Sequence, residues 1–263
     1  MVLRRERLRH PWPSRSIGLS LLLAAISGLG SAVHADDAFV IKPHSVPVEV
    51  PAYPQLIAAW WQWAHALPLA PYLDPDGRLC ELGQSGSVWF LAGTDGSFDA
   101  KRECDVPAGK HLFVPIINIA QNLAISRHPM DPAGERASCE QLESGLHLKD
   151  EQLVDVTVLV DGVRVDDIRG HHVASDGCFP LYPDVVDDRR PVPMAASDGY
   201  WLLIKPLAAG RHTLTVDVHY QAFGGSEQGM IQNFEYVLWV GGDRSGKNYM
   251  AGAVGNVPGL PNR

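Results

Sequence analysis

Phosphate-cradling glycine loops are missing from this chain. It has neither a Gly-x-x-x-x-Gly-Lys-Ser/Thr run nor a Gly-x-Gly-x-x-Gly turn, and no strand–helix–strand alternation to carry one. Nucleotide chemistry of those types is thereby excluded. A Gly-x-Ser-x-Gly elbow is also lacking, so no serine nucleophile announces itself locally, although a triad assembled from distant residues leaves no such motif. Basic residues are in short supply: 22 Lys and Arg stand against 30 Asp and Glu, for a formal charge of −8. No basic stripe with interleaved aromatics offsets the deficit. An acidic surface repels phosphate backbones and anionic lipid heads, which excludes nucleic acid as a partner. Long apolar runs are absent too, apart from one near the start.

That run defines the leader. Arg4, Arg5, Arg7, Arg9 and Arg15 precede an apolar stretch from Ile17 to Leu29, and the segment closes at Val33-His34-Ala35. Basic, apolar and small-residue regions in that order describe a secretory signal peptide, 1–35. The stretch falls short of the ~20 residues a membrane helix needs. Cleavage removes five Arg and one Glu from the 22 basic and 30 acidic residues, leaving 17 against 29 and a charge of −12. The mature segment 36–263 is long enough for one well-buried core and is expected to form a single secreted or periplasmic domain without a membrane span.

Cysteine is scarce as well. The four present, Cys80, Cys104, Cys139 and Cys178, all follow the cleavage point. An even number in an oxidising compartment reads as two disulfides. Of the three pairings, Cys80–Cys104 with Cys139–Cys178 is preferred, because each closes a modest loop around an expected strand or helix. None of the spacings suits a zinc knuckle.

What is abundant is alternation. Val154, Val156, Val158 and Val160 are followed by Asp161-Gly162, the pair that favours a two-residue hairpin, and by Val163 and Val165. Leu214, Val216, Val218 and Tyr220 form an inward set, with Thr213, Thr215, Asp217 and His219 facing out. Further strands are expected over 87–93, 101–106, 111–119, 200–204 and 231–240. The last of these is apolar on both faces and therefore central. One helix stands out at Pro54–Leu67, where Leu56, Trp60, Trp63 and Leu67 share a stripe; a second, short one is expected around Arg136–His147. The Pro-rich lead-in 36–53 should lie along a sheet edge, and the Gly/Pro/Asn-rich tail 242–263 should be poorly ordered. Roughly nine short strands and two helices predict a mainly β fold, an antiparallel β-sandwich or jelly-roll with one N-terminal Trp-rich helix.

Three segments carry a likeness. Trp60-Trp61-Gln62-Trp63, then Gly83-Gln84-Ser85-Gly86-Ser87-Val88-Trp89-Phe90-Leu91-Ala92-Gly93-Thr94, then Cys104-Asp105-Val106-Pro107-Ala108-Gly109-Lys110 resemble an uncharacterised family of secreted bacterial β-rich proteins. The resemblance is best over 60–120 and extends weakly to the final strands. It implies export and a β-rich fold, and it carries no activity and no functional residues.

Candidate functional residues come from chemistry. Indole faces stack on the apolar faces of sugar rings; Trp60 and Trp63 lie on the core stripe, whereas Trp61, with His65 one turn away and Tyr72 beyond, is a candidate ligand platform. Glu235 sits mid-strand between Phe234 and Tyr236. A carboxylate there is either paired with a donor or functional, with Asp95, Asp99, Glu103 and Asp217 as candidate partners for a glycosidase pair. His111 and His212 both open strands after Ala-Gly-Lys/Arg, and as neutral imidazoles could bind a metal, although two His do not complete a coordination set. Asp74-x-Asp76-Gly77 reads as a turn: Arg78 spoils the third ligand position of a calcium loop. The leading expectation is a secreted β-sandwich that binds an extracellular glycan or small ligand, or plays an envelope-structural part, without a cofactor. The rival expectations are a hydrolase of an extracellular polymer using Glu235, and a His-based metal protein.

Overall fold

Eleven strands and two α-helices occur among the residues described by a computed structural model, which are 39–122, 138–183, 193–221 and 229–242. The expected leader and most of the tail lie outside them. One sheet has the order β1 (Val40–Ile41), β9 (Met194–Ile204), β4 (His111–Asn122), β2 (Val88–Phe90), and β7 (His172–Ala174) and β8 (Phe179–Pro180) also pair with β9. The second has the order β3 (Ala100–Val106), β11 (Met230–Val240), β10 (Gly210–Tyr220), β5 (Leu153–Val160), β6 (Val163–Arg164). The fold is mainly β, with two sheets arranged as a sandwich.

Both sheets are mixed, which corrects the purely antiparallel expectation. β2 runs parallel to β4 (Val88 opposite His111), and β3 runs parallel to β11 (Ala100 opposite Phe234). The cause lies in the connectivity: β2, β3 and β4 alternate between the sheets, so the chain reverses twice before β4 returns beside β2. Two strands of two or three residues, β7 and β8, were not foreseen, whereas β1 lies in the lead-in expected along a sheet edge. Each is held by β9. β9 itself begins at Met194, earlier than the expected Tyr200, because pairing with β4, β7 and β8 carries the Ala195–Gly199 stretch that has no apolar alternation of its own.

Alternation along the strands assigns side chains to two cores. Between the sheets lie Leu112, Val114, Tyr200, Leu202 and Ile204 from one side and Val158, Leu214, Val216, Val218, Phe234 and Leu238 from the other. On the outer face of the first sheet, Phe113, Trp201 and Leu203 receive helix α1 (Tyr53–Ala66) through Leu56, Ile57, Trp60 and Trp63. Pro54 starts this helix where no N–H is needed, and Gln55 Oε1 caps the Ala52 N–H at 3.2 Å. Trp60 is 1% exposed and Trp63 6%, so both act as core anchors.

The remaining local signals act as the residues dictate. Asp161 and Gly162 adopt φ of 52° and 76°, the left-handed pair of a tight hairpin turn between β5 and β6. The Asp74 carboxylate spends itself on the backbone N–H groups of Asp76, Gly77 and Leu79 at 3.3, 3.2 and 2.7 Å. Helix α2 (Cys139–Ser144) is opened by Ser138, whose Oγ accepts from the Gln141 N–H. Disulfides join Cys80 to Cys104 and Cys139 to Cys178. None of the helices among the described residues is long and apolar enough to cross a membrane.

Candidate functional site

A cleft of about 760 Å³ opens where the first sheet stops being continuous. The β2–β4 ladder ends at Phe90 opposite Phe113, with one further bond from the Leu91 N–H to the Phe113 carbonyl at 2.9 Å. Beyond it the chain leaves β4 and crosses to β11. Gln232 receives it: Gln232 Oε1 accepts from the Thr94 N–H at 2.7 Å and Gln232 Nε2 donates to the Thr94 carbonyl at 2.6 Å. The gap between the departing segment 93–97 and the exposed flank of β4 is the cleft. Its volume lies within the range of small-molecule sites.

Helix α1 and the turn after it supply the aromatic wall. Trp60 forms a buried floor, its Nε1 donating to the Leu91 carbonyl at 2.8 Å. Trp61 stands edge-on to Trp60, with ring centroids 4.9 Å apart, and to Tyr72 at 6.2 Å. Trp61 Nε1 donates to Ser197 Oγ at 2.8 Å, and that hydroxyl donates to the Ile119 carbonyl at 2.8 Å. The indole orientation is therefore fixed through its edge. Tyr72 sits on the single turn Pro71–Leu73. Burial, then the Asp95 and Tyr182 charges, push its hydroxyl above the ordinary phenol value, so it remains a donor.

The polar groups come from β4 and from segment 93–97. A β-bulge at Ile116 inserts one residue between the Pro115–Trp201 and Ile117–Tyr200 pairs. Before the bulge, odd-numbered residues of β4 face helix α1; after it, the phase is inverted. Asn118 is thereby turned to the cleft side, opposite Gly199. Its buried Nδ2 has no hydrogen-bond partner among the described residues, which leaves a donor for a ligand. Gly199 is required by this arrangement: a Cβ there would stand 2.6 Å from Asn118 Cβ. Across the cleft, Asp95 Oδ1 accepts from the Ser97 hydroxyl at 2.6 Å and the Ser97 N–H at 3.0 Å. These two bonds hold the carboxyl below the usual carboxylate range. Among the described lining residues, Asp95 is the one ionisable acid or base other than Tyr72.

One buried cation organises the walls. Arg102, 3% exposed, donates from Nε to the Asp74 carbonyl at 2.7 Å, from Nη2 to the Pro71 carbonyl at 3.4 Å and from Nη1 to the Ala92 carbonyl at 2.6 Å. The first two flank Tyr72, and the third precedes the 93–97 segment. Tyr236 completes the anchor, its hydroxyl accepting from the Ala92 N–H at 3.0 Å and from Arg102 Nη1 at 3.1 Å.

Of the sequence candidates, Trp61, Tyr72 and Asp95 line the cleft. His65 does not: its Nδ1 lies 2.9 Å from the Trp61 carbonyl and its ring meets Tyr182 at 6.0 Å. Glu235 points from the outer face of the second sheet, half-exposed and 3.5 Å from Lys101 Nζ. Glu103 Oε1 accepts from Trp239 Nε1 at 2.6 Å. His212 Nδ1 is 2.6 Å from Asp161 Oδ2 on the second sheet, whereas His111 opens β4 in the first, and burial lowers its proton affinity. Among the described residues, no three His, Cys, Asp or Glu side chains gather closely enough to hold a metal ion. Asn118, Gln232 and Arg102 were not foreseen. Pro115 inside a strand was the signal for the bulge that aims Asn118.

A second polar cluster ties the two sheets together away from the cleft. His172 of β7 lies with Nε2 3.0 Å from Asp198 Oδ1 and Nδ1 3.4 Å from Asp150 Oδ1, and stacks on Tyr200 at 4.5 Å. Asp150 belongs to the turn that leads into β5. The hydrogen bond to Asp198, supported by both carboxylate charges, raises the His172 proton affinity against the opposing effect of burial.

Neither the protein-family models nor the curated proteins contain a match to this chain.

Proposed function

We propose that this protein is an extracytoplasmic binding protein whose cleft takes a carbohydrate. One observation carries the reading: an oriented indole and a phenol stand in the same cleft as an amide donor without a partner among the described residues, Asn118 Nδ2, and an ionised acceptor, Asp95. Sugars present apolar ring faces and rings of hydroxyls, so recognition needs aromatic surface together with fixed donors and acceptors. Two disulfides and the basic-apolar-small leader support placement in an oxidising compartment. Hydrolysis by the usual route needs two carboxylates across the bond. Among the described residues the cleft is lined by one, Asp95, with Glu235 elsewhere, and this favours binding over turnover.

The test is a glycan array followed by titration of the hits against tryptophan fluorescence. Trp61→Ala and Asn118→Ala should each weaken binding at least roughly tenfold, about 1.4 kcal/mol or more, without loss of β circular dichroism. An array on which the folded protein retains no saccharide at all refutes the proposal. The compartment is checked separately by mass spectrometry, where the exported protein should begin at Asp36.

A further inference from the structure

We infer that the saccharide carries a protonated amine, as an unacetylated hexosamine unit does. This narrows the carbohydrate reading above and rests on it. Lys, Arg and His are absent from the described lining of the cleft, and its one carboxylate is Asp95. Both Ser97 bonds fall on Asp95 Oδ1, and the carboxylate is exposed, so a ligand cation at Oδ2 would gain a charge-assisted hydrogen bond. The faces of Trp61 and Tyr72 add to the same preference, because an aromatic quadrupole attracts cations.

The rest of the cleft limits what else the ligand is. Asn118 Nδ2 offers a buried donor, which calls for an oxygen acceptor on the same molecule. An amino sugar presents an ammonium, hydroxyl and ring oxygens, and an apolar ring face within one unit. A uronate presents a carboxylate instead, and would meet Asp95 with like charge and no compensating base among the described lining residues. The wider field acts in the same direction, since the chain carries a formal charge of −8.

The experiment uses the full exported protein at about pH 5.5, where Asp95 is ionised and a hexosamine is protonated. Glucosamine oligomers, their N-acetylated counterparts and oligogalacturonates of matched length are titrated calorimetrically. The amine oligomer should bind at least roughly tenfold more tightly than the acetylated one, and the uronate should give no heat of binding. The preference should collapse when salt is raised from about 0.05 to about 0.5 M, and in Asp95→Asn it should fall below about threefold. Glu235→Gln, outside the cleft, should leave it unchanged. If the acetylated oligomer or the uronate binds as well as the amine, or if Asp95→Asn keeps the full preference, the inference is overturned while the carbohydrate reading stands. If none of the three oligomers binds and the array is also empty, both fall together.

Discussion

Replacing Arg102 by methionine keeps the apolar stem of the side chain and removes the guanidinium. Two bonds shorter than 2.8 Å are then lost, to the Asp74 and Ala92 carbonyls. Hydrogen bonds from a charged donor contribute about 1.5–3 kcal/mol each, for a gross loss of about 3–6 kcal/mol. Two effects offset part of it. The Ala92 carbonyl keeps the Tyr236 hydroxyl at 2.9 Å, and the cost of holding a cation out of water disappears. The net expected loss is therefore about 2–4 kcal/mol, which for a chain of this size lowers Tm by about 4–16 °C. Urea unfolding with the disulfides intact measures it. Because Arg102 holds the turn bearing Tyr72 and the segment bearing Asp95, saccharide affinity should fall more than the residual folded fraction explains. Arg102→Lys should recover part of the stability, since an ammonium can reach one carbonyl but cannot fork between two. A loss below about 1 kcal/mol, the worth of one ordinary neutral hydrogen bond, would refute the anchoring role.

Gly199→Ala places a Cβ 2.6 Å from Asn118 Cβ and 2.8 Å from the Ile117 carbonyl; overpacking of this kind costs about 1–3 kcal/mol, and denaturant melts together with ligand titration should show stability and affinity dropping together. His172 is protonated more readily in the folded than in the unfolded chain because of Asp198 and Asp150. Its contribution to stability is complete below the unfolded value of about 6.5 and is lost as pH rises through the raised folded value. Unfolding free energies from acid to alkaline pH should decline across that window, and His172→Gln should flatten the decline. Removing the Cys139–Cys178 link, 39 residues apart, with a double Ala replacement should cost about 2–4 kcal/mol by freeing the unfolded chain; an unchanged urea midpoint would contradict that estimate.

Short-range rules made much of this molecule readable. Leu214, Val216, Val218 and Tyr220 are all buried, as their alternation with polar residues requires. Asp161-Gly162 turns where two positive φ values are needed. Trp60 and Trp63 pack inward because their spacing shares a stripe with Leu56. Trp61 was separable from them by one residue of helical phase, about 100° of rotation, and that offset brings it to the cleft. Asp95, by contrast, was noted only as a candidate partner for Glu235, and the two are not in one site.

The sequence by itself determined the strand periods, the hairpin turn, the core face of helix α1 and the supply of cysteines for two bridges, because each is a property of neighbours a few residues apart. Tertiary structure alone decided the parallel pairings, the bulge that inverts the phase of Asn118, and the meeting of Arg102 with the carbonyls of Pro71, Asp74 and Ala92. Those depend on which sheet each strand joins. That choice is made by burying two apolar faces together across more than a hundred residues, and apart from Pro115 as a local sign of the bulge no short-range pattern encodes it.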